Sequence, residues 1–332
     1  MNKNLKELIT NKKILIIGDV MIDAYIWGKV DRISPEAPVP IVSVHKRENR
    51  LGGAANVALN IQSLGSTAVL ASVIGKDEKG QEMIELVAKQ NMPTHGLLQS
   101  SHRITTTKFR VIGNNTQMLR VDEETDDSLA PEIKKEFLNH LLQLLSEENF
   151  DAIVFEDYDK GVIDSEIVSA VLQKSDELNI PVSVDPKKRN FFAYEGVSLF
   201  KPNLKELSNA LNIELPDDIE MLAKLAEKFR CENKYKLLLL TLGEKGMLLL
   251  YDKENVKMQY HIPSRVRNVS DVSGAGDTVI SVATLALAAG LDCIQMTELS
   301  NLAAGIVCEY VGVVPVPAIR FFKEAENIQN AD

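Results

Sequence analysis

The chain has 332 residues, 45% hydrophobic and 25% charged, with a formal net charge of −10. That composition is globular rather than disordered, suits one large α/β domain or two ordinary ones, and disfavours nonspecific binding to nucleic acid or anionic membrane. Three scattered cysteines and five scattered histidines give no CxxC pair and no zinc-ligand spacing, so free thiols in a reducing compartment are expected and a protein-built transition-metal site is not.

The polar start, MNKNLKELITNKK, lacks the apolar core of a signal peptide. The run Thr278–Ala289 and each half of Lys236–Tyr251 are too short to span a bilayer. A soluble, cytoplasmic protein is the expectation, with no membrane or nucleic-acid partner. KKILIIGD reads as a buried first strand leaving through Gly18-Asp19, and ANVALNIQSLG as a helix ending at Gly65. TAVLASVIG is the next strand and KGQEMIELVAKQ the next helix. FDAIVFED, IPVSVD and KLLLLTLG repeat the short-strand pattern, with helical segments such as SEIVSAVLQKSDELN between them. The alternation predicts an α/β fold, a mainly parallel sheet flanked by helices on both faces. Sites in such folds gather at the carboxyl ends of the strands.

Two stretches break the alternation. Residues 24–50 carry three prolines between strand-like flanks, and residues 104–121 read as a hairpin turning at Gly113-Asn114-Asn115. Together they predict a small β-sheet projecting as a lid. No repeat, low-complexity segment or linker interrupts the chain, so residues 1–332 are read as a single domain with that lid.

The strongest chemical signal is Asp271-Val-Ser-Gly-Ala-Gly-Asp277, running into the helix TVISVATLALAAG, which Gly290 closes. Small residues let backbone amides approach a ligand, and a helix start adds positive partial charge, which suits phosphate. Asp277 in the first turn could then take a proton from an attacking hydroxyl, kept ionised by the helix terminus. A plain capped helix explains the same residues about equally well in isolation. The second signal is Gly52-Gly53-Ala54-Ala55-Asn56 at the start of the first helix. Paired glycines allow close ligand contact and Asn56 can donate to or accept from hydroxyls. A glycine turn with a helix-start asparagine is the better reading when it stands alone.

Spacing changes that balance. Gly52-Gly53, Asn56, Ala58, Gly65 and Gly75 fit the first signature of the ribokinase-like (PfkB) carbohydrate kinases, and residues 271–284 resemble the second, departing only at Val282. The resemblance covers essentially the whole chain. It implies a ribokinase-like fold, Asp277 as catalytic base, and amides of residues 274–277 (Gly274, Ala275, Gly276) as an anion hole. It implies Asp19 as a sugar-hydroxyl ligand beside Gly52, Gly53 and Asn56. Asn203-Leu-Lys-Glu206 resembles the NxxE element, which places Glu206 near Mg²⁺ through water, and Thr241, Gly243 and Asn301 fall where relatives line ATP. Asn203 after Pro202 could equally cap a helix. ATP and Mg²⁺ are the implied cofactors, with a monovalent cation left open, and exposed lid edges suggest a homodimer through the lid.

Within the family, GDVMIDAYIWGKVDRISPEAPVPIV, LGGAANVALNIQSLG, TTKFRVIGNNTQMLRVDEE, EDYDKG and DPKKRNF resemble the kinase half of bifunctional heptose kinase–adenylyltransferases. That implies D-glycero-β-D-manno-heptose 7-phosphate as acceptor and the 1,7-bisphosphate as product, in lipopolysaccharide heptose supply. No HxGH motif of the nucleotidyltransferase half is found, so a stand-alone kinase is expected. Glu156 departs from the small residue usual before the Asp-Tyr pair. Lys108, Arg110, Arg120, Lys160, Lys187, Lys188 and Arg189 are the cations available for the 7-phosphate, with Lys187 favoured because it follows IPVSVD. A Rossmann dehydrogenase is excluded by the missing third glycine, and a P-loop kinase by Gln81 where lysine is required. A kinase for another sugar phosphate, such as fructose 1-phosphate, and a silent sugar-binding protein remain as rivals.

Overall fold

The structure, a computed structural model, describes residues 5–265 and 269–329. A short helix α1 (Leu5–Ile9) leads into β1 (Lys13–Gly18), β2 (Val20–Ile33) and β3 (Pro40–Gly53). Helix α2 (Ala54–Ser63), β4 (Thr67–Gly75), α3 (Glu78–Lys89), β5 (Leu97–Ser100), β6 (Thr107–Gly113) and β7 (Thr116–Glu123) follow. Next come α4 (Pro131–Glu147), β8 (Ala152–Glu156), α5 (Ser165–Leu178), β9 (Val182–Asp185), β10 (Leu199–Phe200), α6 (Leu204–Leu211) and α7 (Ile219–Glu232). The chain finishes with β11 (Leu237–Thr241), β12 (Met247–Lys253), β13 (Val256–Ile262), α8 (Ala275–Ala288), α9 (Cys293–Val307) and α10 (Ala318–Gln329).

Nine strands form the main sheet in the order β13-β12-β11-β10-β9-β8-β1-β4-β5. From β11 to β5 every pairing is parallel, while β11-β12-β13 is an antiparallel edge. The reading from sequence thus holds for the parallel part and missed the edge hairpin. Its turn residues, Glu254 and Asn255, take left-handed φ of 53° and 63°, a conformation that a Gly-based search passes over. Because side chains alternate across a strand, β1 splits its buried run between two cores. Ile14 and Ile16 pack with α2, α8, α9 and α10, whereas Leu15 and Ile17 pack with α4, α5 and α7. Both faces of the sheet are therefore covered, which is why its strands read as unbroken apolar runs.

The four-stranded lid has the order β3-β2-β6-β7. It is longer than residues 24–50 and 104–121: β2 pairs with β3 from Val20↔Gly53 out to Ile33↔Pro40. The bases of both long strands are buried in the main body, so no turn signal marks where domain ends and lid begins. Pro35 and Pro38 sit in the loop at the far tip, and Asn114 and Asn115 turn β6 into β7 with φ of 51° and 63°. Among the described residues no helix is long and apolar enough to cross a membrane.

Candidate active site

Two adjoining regions meet at the N-terminus of α8. On one side lies a cavity of about 460 Å³ whose lining includes Asn203, Thr241, Gly243, Ala275, Gly276 and Asn301. Its walls are otherwise mostly apolar, with Val272, Val279 and Ala304 among them. Thr241 ends β11 and bridges to Asn203, which precedes α6, so both arrive from the carboxyl ends of parallel strands. Asn301 is buried on α9 and donates to the Pro263 carbonyl at 2.9 Å. Gly274 takes the left-handed conformation (φ 79°) that starts α8. A side chain at Gly276 would point at Lys201 and Asp185, with Lys201 Nζ at 3.6 Å and Asp185 Oδ2 at 3.7 Å from its Cβ. The helix start therefore faces the Lys201–Asp185 ion pair.

Asp277 is buried in the first turn of α8. Asn56 Nδ2 donates to its Oδ2 at 2.7 Å and the Tyr158 hydroxyl to its Oδ1 at 2.8 Å. Burial pushes its carboxyl above the usual range, against those two hydrogen bonds. The helix terminus therefore does not dominate its ionisation as the sequence suggested. Asn56 is positioned by helix packing: Asn60 on α2 donates to the Asn56 carbonyl at 2.9 Å and accepts from Thr278 at 3.2 Å. Around Asp277 stand Glu156 at the end of β8 and Asp185 at the end of β9, which are register partners. Lys201 Nζ meets Asp185 Oδ2 at 2.7 Å. Lys187 Nζ meets Glu206 Oε1 at 2.5 Å and lies over the Tyr158 ring, 5.3 Å from its centroid. Burial opposes the charge on Lys187, yet Asp185 and Glu206 hold the ammonium above its ordinary pKa. Glu206 and Asn203 also close a capping box on α6, with N···O distances of 2.8 and 2.9 Å. Both of the meanings weighed for Asn203 are thus met by one geometry: it caps a helix and it borders the cavity.

The second region is one face of the lid. Asp23 on β2 is aligned with Arg50 on β3 and with Lys108 on β6, and Tyr25 with Arg110. Lys108 in turn is aligned with Asp122 on β7, and Arg110 with Arg120. Cross-strand partners share a face, so the cations Arg50, Lys108, Arg110 and Arg120 interleave there with the acids Asp23, Glu48 and Asp122. Asp23 is buried, pairs with Arg110, and its carboxyl is pushed up by burial despite that guanidinium. Arg50 and Arg110 both lie over the Tyr25 ring, 4.8 and 5.5 Å from its centroid. Glu124 bridges Lys108 and Lys160, 2.7 Å from each. The face borders the glycine loop through Gly312, whose N–H donates to Asp271 Oδ2 at 3.0 Å and which lies against Arg50 and Tyr25.

Several expected residues occupy different places. Asp19 is 1% exposed and accepts three backbone N–H groups, from Tyr158, Lys160 and Val162, at 2.9, 3.1 and 3.1 Å. It holds the loop after β8 rather than facing an open space, and Asp23, four residues on, is the acid beside Gly52 on the lid. Strand alternation was the available signal: Met21, Asp23 and Tyr25 share a face, and an acid between two large apolar side chains is out of place unless something uses it. Gly52 and Gly53 are required by packing, because a Cβ would strike Asp23 at the first and the Asp19 carbonyl at the second. Lys187 lies beside Glu206 and Tyr158, not on the lid. Lys188 and Arg189 are exposed, and Arg189 is bound to the Asp126 carbonyl at 2.6 Å. Tyr158 and Lys201 were not singled out from sequence at all.

Comparison with known proteins places this geometry. The profile of the pfkB family carbohydrate kinases matches residues 11–319. Bifunctional protein HldE of Trichlorobacter lovleyi is 37% identical over 316 residues, 95% of this chain and 63% of that protein. Its namesake from Methylobacillus flagellatus is 38% identical over 318 residues, 96% of this chain and 64% of that protein. The chain thus spans less than two thirds of these relatives' length. Among solved structures, Escherichia coli phosphofructokinase-2 in complex with substrates and products has a TM-score of 0.79 at 19% identity, covering 96% of this chain and 99% of that one. The same enzyme in complex with potassium gives 0.78 at 19% identity, over 96% and 100%. Arabidopsis thaliana ribokinase complexed with ribose and ATP gives 0.70 at 16% identity, over 95% and 99%. At such identities the structural likeness speaks for the ribokinase-like fold alone. The profile match and the relatives above one-third identity carry the assignment further: the chain belongs to the pfkB family of carbohydrate kinases.

Proposed function

We propose that the chain transfers the terminal phosphate of ATP to a hydroxyl of a sugar phosphate, with Asp277 as the base, and that the acceptor is D-glycero-β-D-manno-heptose 7-phosphate. The observation that carries the reading is the placement of Asp277, at a helix start that adjoins the cavity on one side and the lid on the other. ATP would lie in the cavity with its phosphates against the amides of residues 274–277. The acceptor would lie under the lid, its hydroxyls meeting Asp23 and Asn56. Asp19 then acts at one remove, by holding the 158–162 backbone that carries Tyr158 to Asp277. As the hydroxyl oxygen attacks phosphorus, its proton passes to Asp277 and the bond to ADP breaks. Little covalent work is needed beyond in-line positioning and charge neutralisation, and Lys187 and Lys201 provide positive charge on the donor side. Mg²⁺ fits beside Glu206 through water rather than directly, because both carboxylate oxygens already accept a hydrogen bond. It would neutralise the ATP phosphates. A requirement for potassium is the matching proposal for a monovalent cation, on the strength of the potassium-bound neighbour.

The choice of a phosphorylated acceptor rests on the lid cations, and the choice of heptose on the resemblance stated from sequence. Lys108, Arg110, Lys160 and Arg50 line the acceptor side of a chain whose net charge is −10, and such a concentration calls for an anionic ligand. They replace Lys187 as the proposed grip on the 7-phosphate. Dimerisation through the lid is supported by the exposed Met118, Leu119 and Val121 of edge strand β7. The test is coupled ADP release with heptose 7-phosphate, free heptose and fructose 1-phosphate compared by kcat/KM. Best turnover on an acceptor other than heptose 7-phosphate removes the heptose assignment, and no ADP release with any sugar removes the kinase reading.

A further inference from the structure

Tyr158 joins the two regions that meet at Asp277. Its hydroxyl donates to Asp277 Oδ1 at 2.8 Å and Asn56 Nδ2 donates to Oδ2 at 2.7 Å, so each oxygen of the buried carboxylate is held by a neutral donor. Each oxygen keeps a further lone pair that can take a proton. The charged groups around Asp277 are Glu156 at the end of β8, Asp185 at the end of β9 and Lys201 just after β10. Both lysines of this region are engaged elsewhere, Lys201 with Asp185 and Lys187 with Glu206. The tyrosine itself is firmly placed. Its backbone N–H donates to Asp19 Oδ2 at 2.9 Å, and its ring lies under the Lys187 ammonium. The preceding Asp157 accepts from Asn190 Nδ2 and from the Tyr194 hydroxyl, each at 2.9 Å. Two residues on, Lys160 reaches Glu124, just past β7, at 2.7 Å.

We propose that Tyr158 is a positioning residue for the phosphoryl transfer: its hydroxyl holds the Asp277 carboxylate ionised and aimed at the acceptor hydroxyl. The inference rests on the reading of Asp277 as the base. Burial is the largest influence on that carboxyl and raises its pKa, Asp185 adds to the rise, and the Asn56 and Tyr158 hydrogen bonds oppose it. A base that is to accept a proton must first be without one, so the two donors act in the direction the reaction needs. A cation in place of Tyr158 would hold the charge harder and make a poorer proton acceptor; a neutral hydroxyl aims the group at less cost to its basicity. Burial, then the charges of Asp277, Glu156 and Asp185, push the Tyr158 phenol well above its ordinary pKa, so it stays a donor. The anchors at Asp19, Asp157 and Lys187 supply the rigid support that such a supporting contact requires.

The experiment is kcat against pH for the full chain and Tyr158→Phe, by coupled ADP release with the best acceptor of the sugar panel. Tyr158→Phe removes one oxygen and leaves the ring beneath Lys187, and circular dichroism with Tm establishes that it is folded. At neutral pH kcat should fall about tenfold or more, the usual weight of a hydrogen bond to a charged group, with KM for ATP within about twofold. The hydroxyl stabilises the ionised carboxylate, so its loss raises the pKa of the base and moves the acid limb of the profile to higher pH. In an Asp277→Ala background the same substitution should change the residual rate by less than about twofold, because the hydroxyl acts only through that carboxylate. Tyr235→Phe is the control, since the buried Tyr235 hydroxyl has no hydrogen-bond partner among the described residues, and it should leave the profile unchanged. A Tyr158→Phe profile that overlays the wild type overturns the proposal. So does a loss of equal size at every pH that persists in the Asp277→Ala background. If Asp277→Asn abolishes turnover and Tyr158→Phe does not alter it, the base stands and this inference alone falls. No ADP release by the wild type with any sugar removes both.

Discussion

The cavity and the lid face border the same carboxylate, yet they are built from opposite materials. The cavity is walled largely by apolar and small residues, such as Val272, Val279, Ala304 and Gly276, with Asn203, Thr241 and Asn301 among its polar side chains. The lid face is a lattice of charged side chains drawn from four strands, already paired with one another: Arg110 with Asp23, Lys108 with Asp122 and Glu124, Lys160 with Glu124. A backbone cradle can grip phosphate without committing to what lies beyond it, whereas a charged lattice must be broken and re-formed by its ligand. On the proposed reading the first arrangement would supply general chemistry and the second selection. A sugar phosphate would displace Glu124 from its lysines, so discrimination becomes a competition between two anions for the same cations.

That division can be broken most sharply at its boundary. Asp277→Asn should lower kcat by about 10²–10⁴-fold, the usual contribution of a general base, with ATP affinity retained in equilibrium binding. An Asn variant with more than a tenth of wild-type kcat would remove Asp277 from that role. Next in size is Gly276→Val. The added Cβ meets only the ends of the Lys201 and Asp185 side chains, at 3.6 and 3.7 Å, and no backbone, so the fold should survive while phosphate is excluded. A loss of kcat without loss of Tm supports the cradle. Equal loss of both returns the glycines to a structural role.

On the lid the effects are smaller and should be selective. Charge-assisted hydrogen bonds are worth about 1.5–3 kcal/mol, roughly ten- to hundredfold in affinity. Lys108→Ala should raise KM for the phosphorylated acceptor by that factor and leave KM for ATP within about twofold. Lys187→Ala is the contrast: on the donor side it should penalise phosphorylated and free sugars alike. If instead Lys187→Ala discriminated between the two acceptors and Lys108→Ala did not, the assignment of lid and cavity would be inverted.

The same asymmetry explains what was legible in the sequence. Backbone cradles leave local marks, because small residues must follow one another along the chain. The small residues of the loop before α8 could therefore be read from the chain itself, as could strands β1, β4 and β8, whereas the Asn203–Glu206 box and Thr241-Leu-Gly243 were named through the family resemblance. Side-chain lattices leave none. Arg50, Lys108, Arg110 and Asp23 become neighbours only through the register of β3-β2-β6, which a one-residue slip would reverse. Asp19 was named from the resemblance, for its place just after β1, and Asp23 was not weighed, although strand alternation sets it on one face with Met21 and Tyr25. For Lys187, following β9 placed it near Asp277 without saying that its partners would be Glu206 and Tyr158 rather than lid residues. Tyr158 carried no motif of its own, and its hydroxyl reaches Asp277 because Asp19, 139 residues earlier, holds its backbone N–H.

The smallest expected effect concerns how firmly the lid is attached. Asp77 caps α3 by accepting from Gly80 N–H at 2.6 Å, and it also accepts from Thr105 N–H at 2.9 Å and Thr105 Oγ1 at 2.8 Å. Thr105 stands two residues before β6, so one carboxylate ties a main-body helix to the entry of the lid. Burial alone would raise its pKa, but the Thr105 and Gly80 donors outweigh it and hold the carboxyl below its usual value. The sign follows: a depressed folded-state pKa contributes stability above the unfolded value near 3.8, and that contribution fades as pH falls through the acid range. Asp77→Ala should cost about 1 kcal/mol at neutral pH, as other lost caps do, and the gap from wild type should narrow below about pH 4. Trp27, the single tryptophan, lies on β2 and reports the lid, while far-ultraviolet circular dichroism reports the helices. In wild type the two denaturation curves should coincide. In Asp77→Ala the Trp27 transition should move to lower denaturant first. Coincident curves in the variant, displaced by the same amount, would mean that Asp77 stabilises α3 alone and that the lid is held by its long strands.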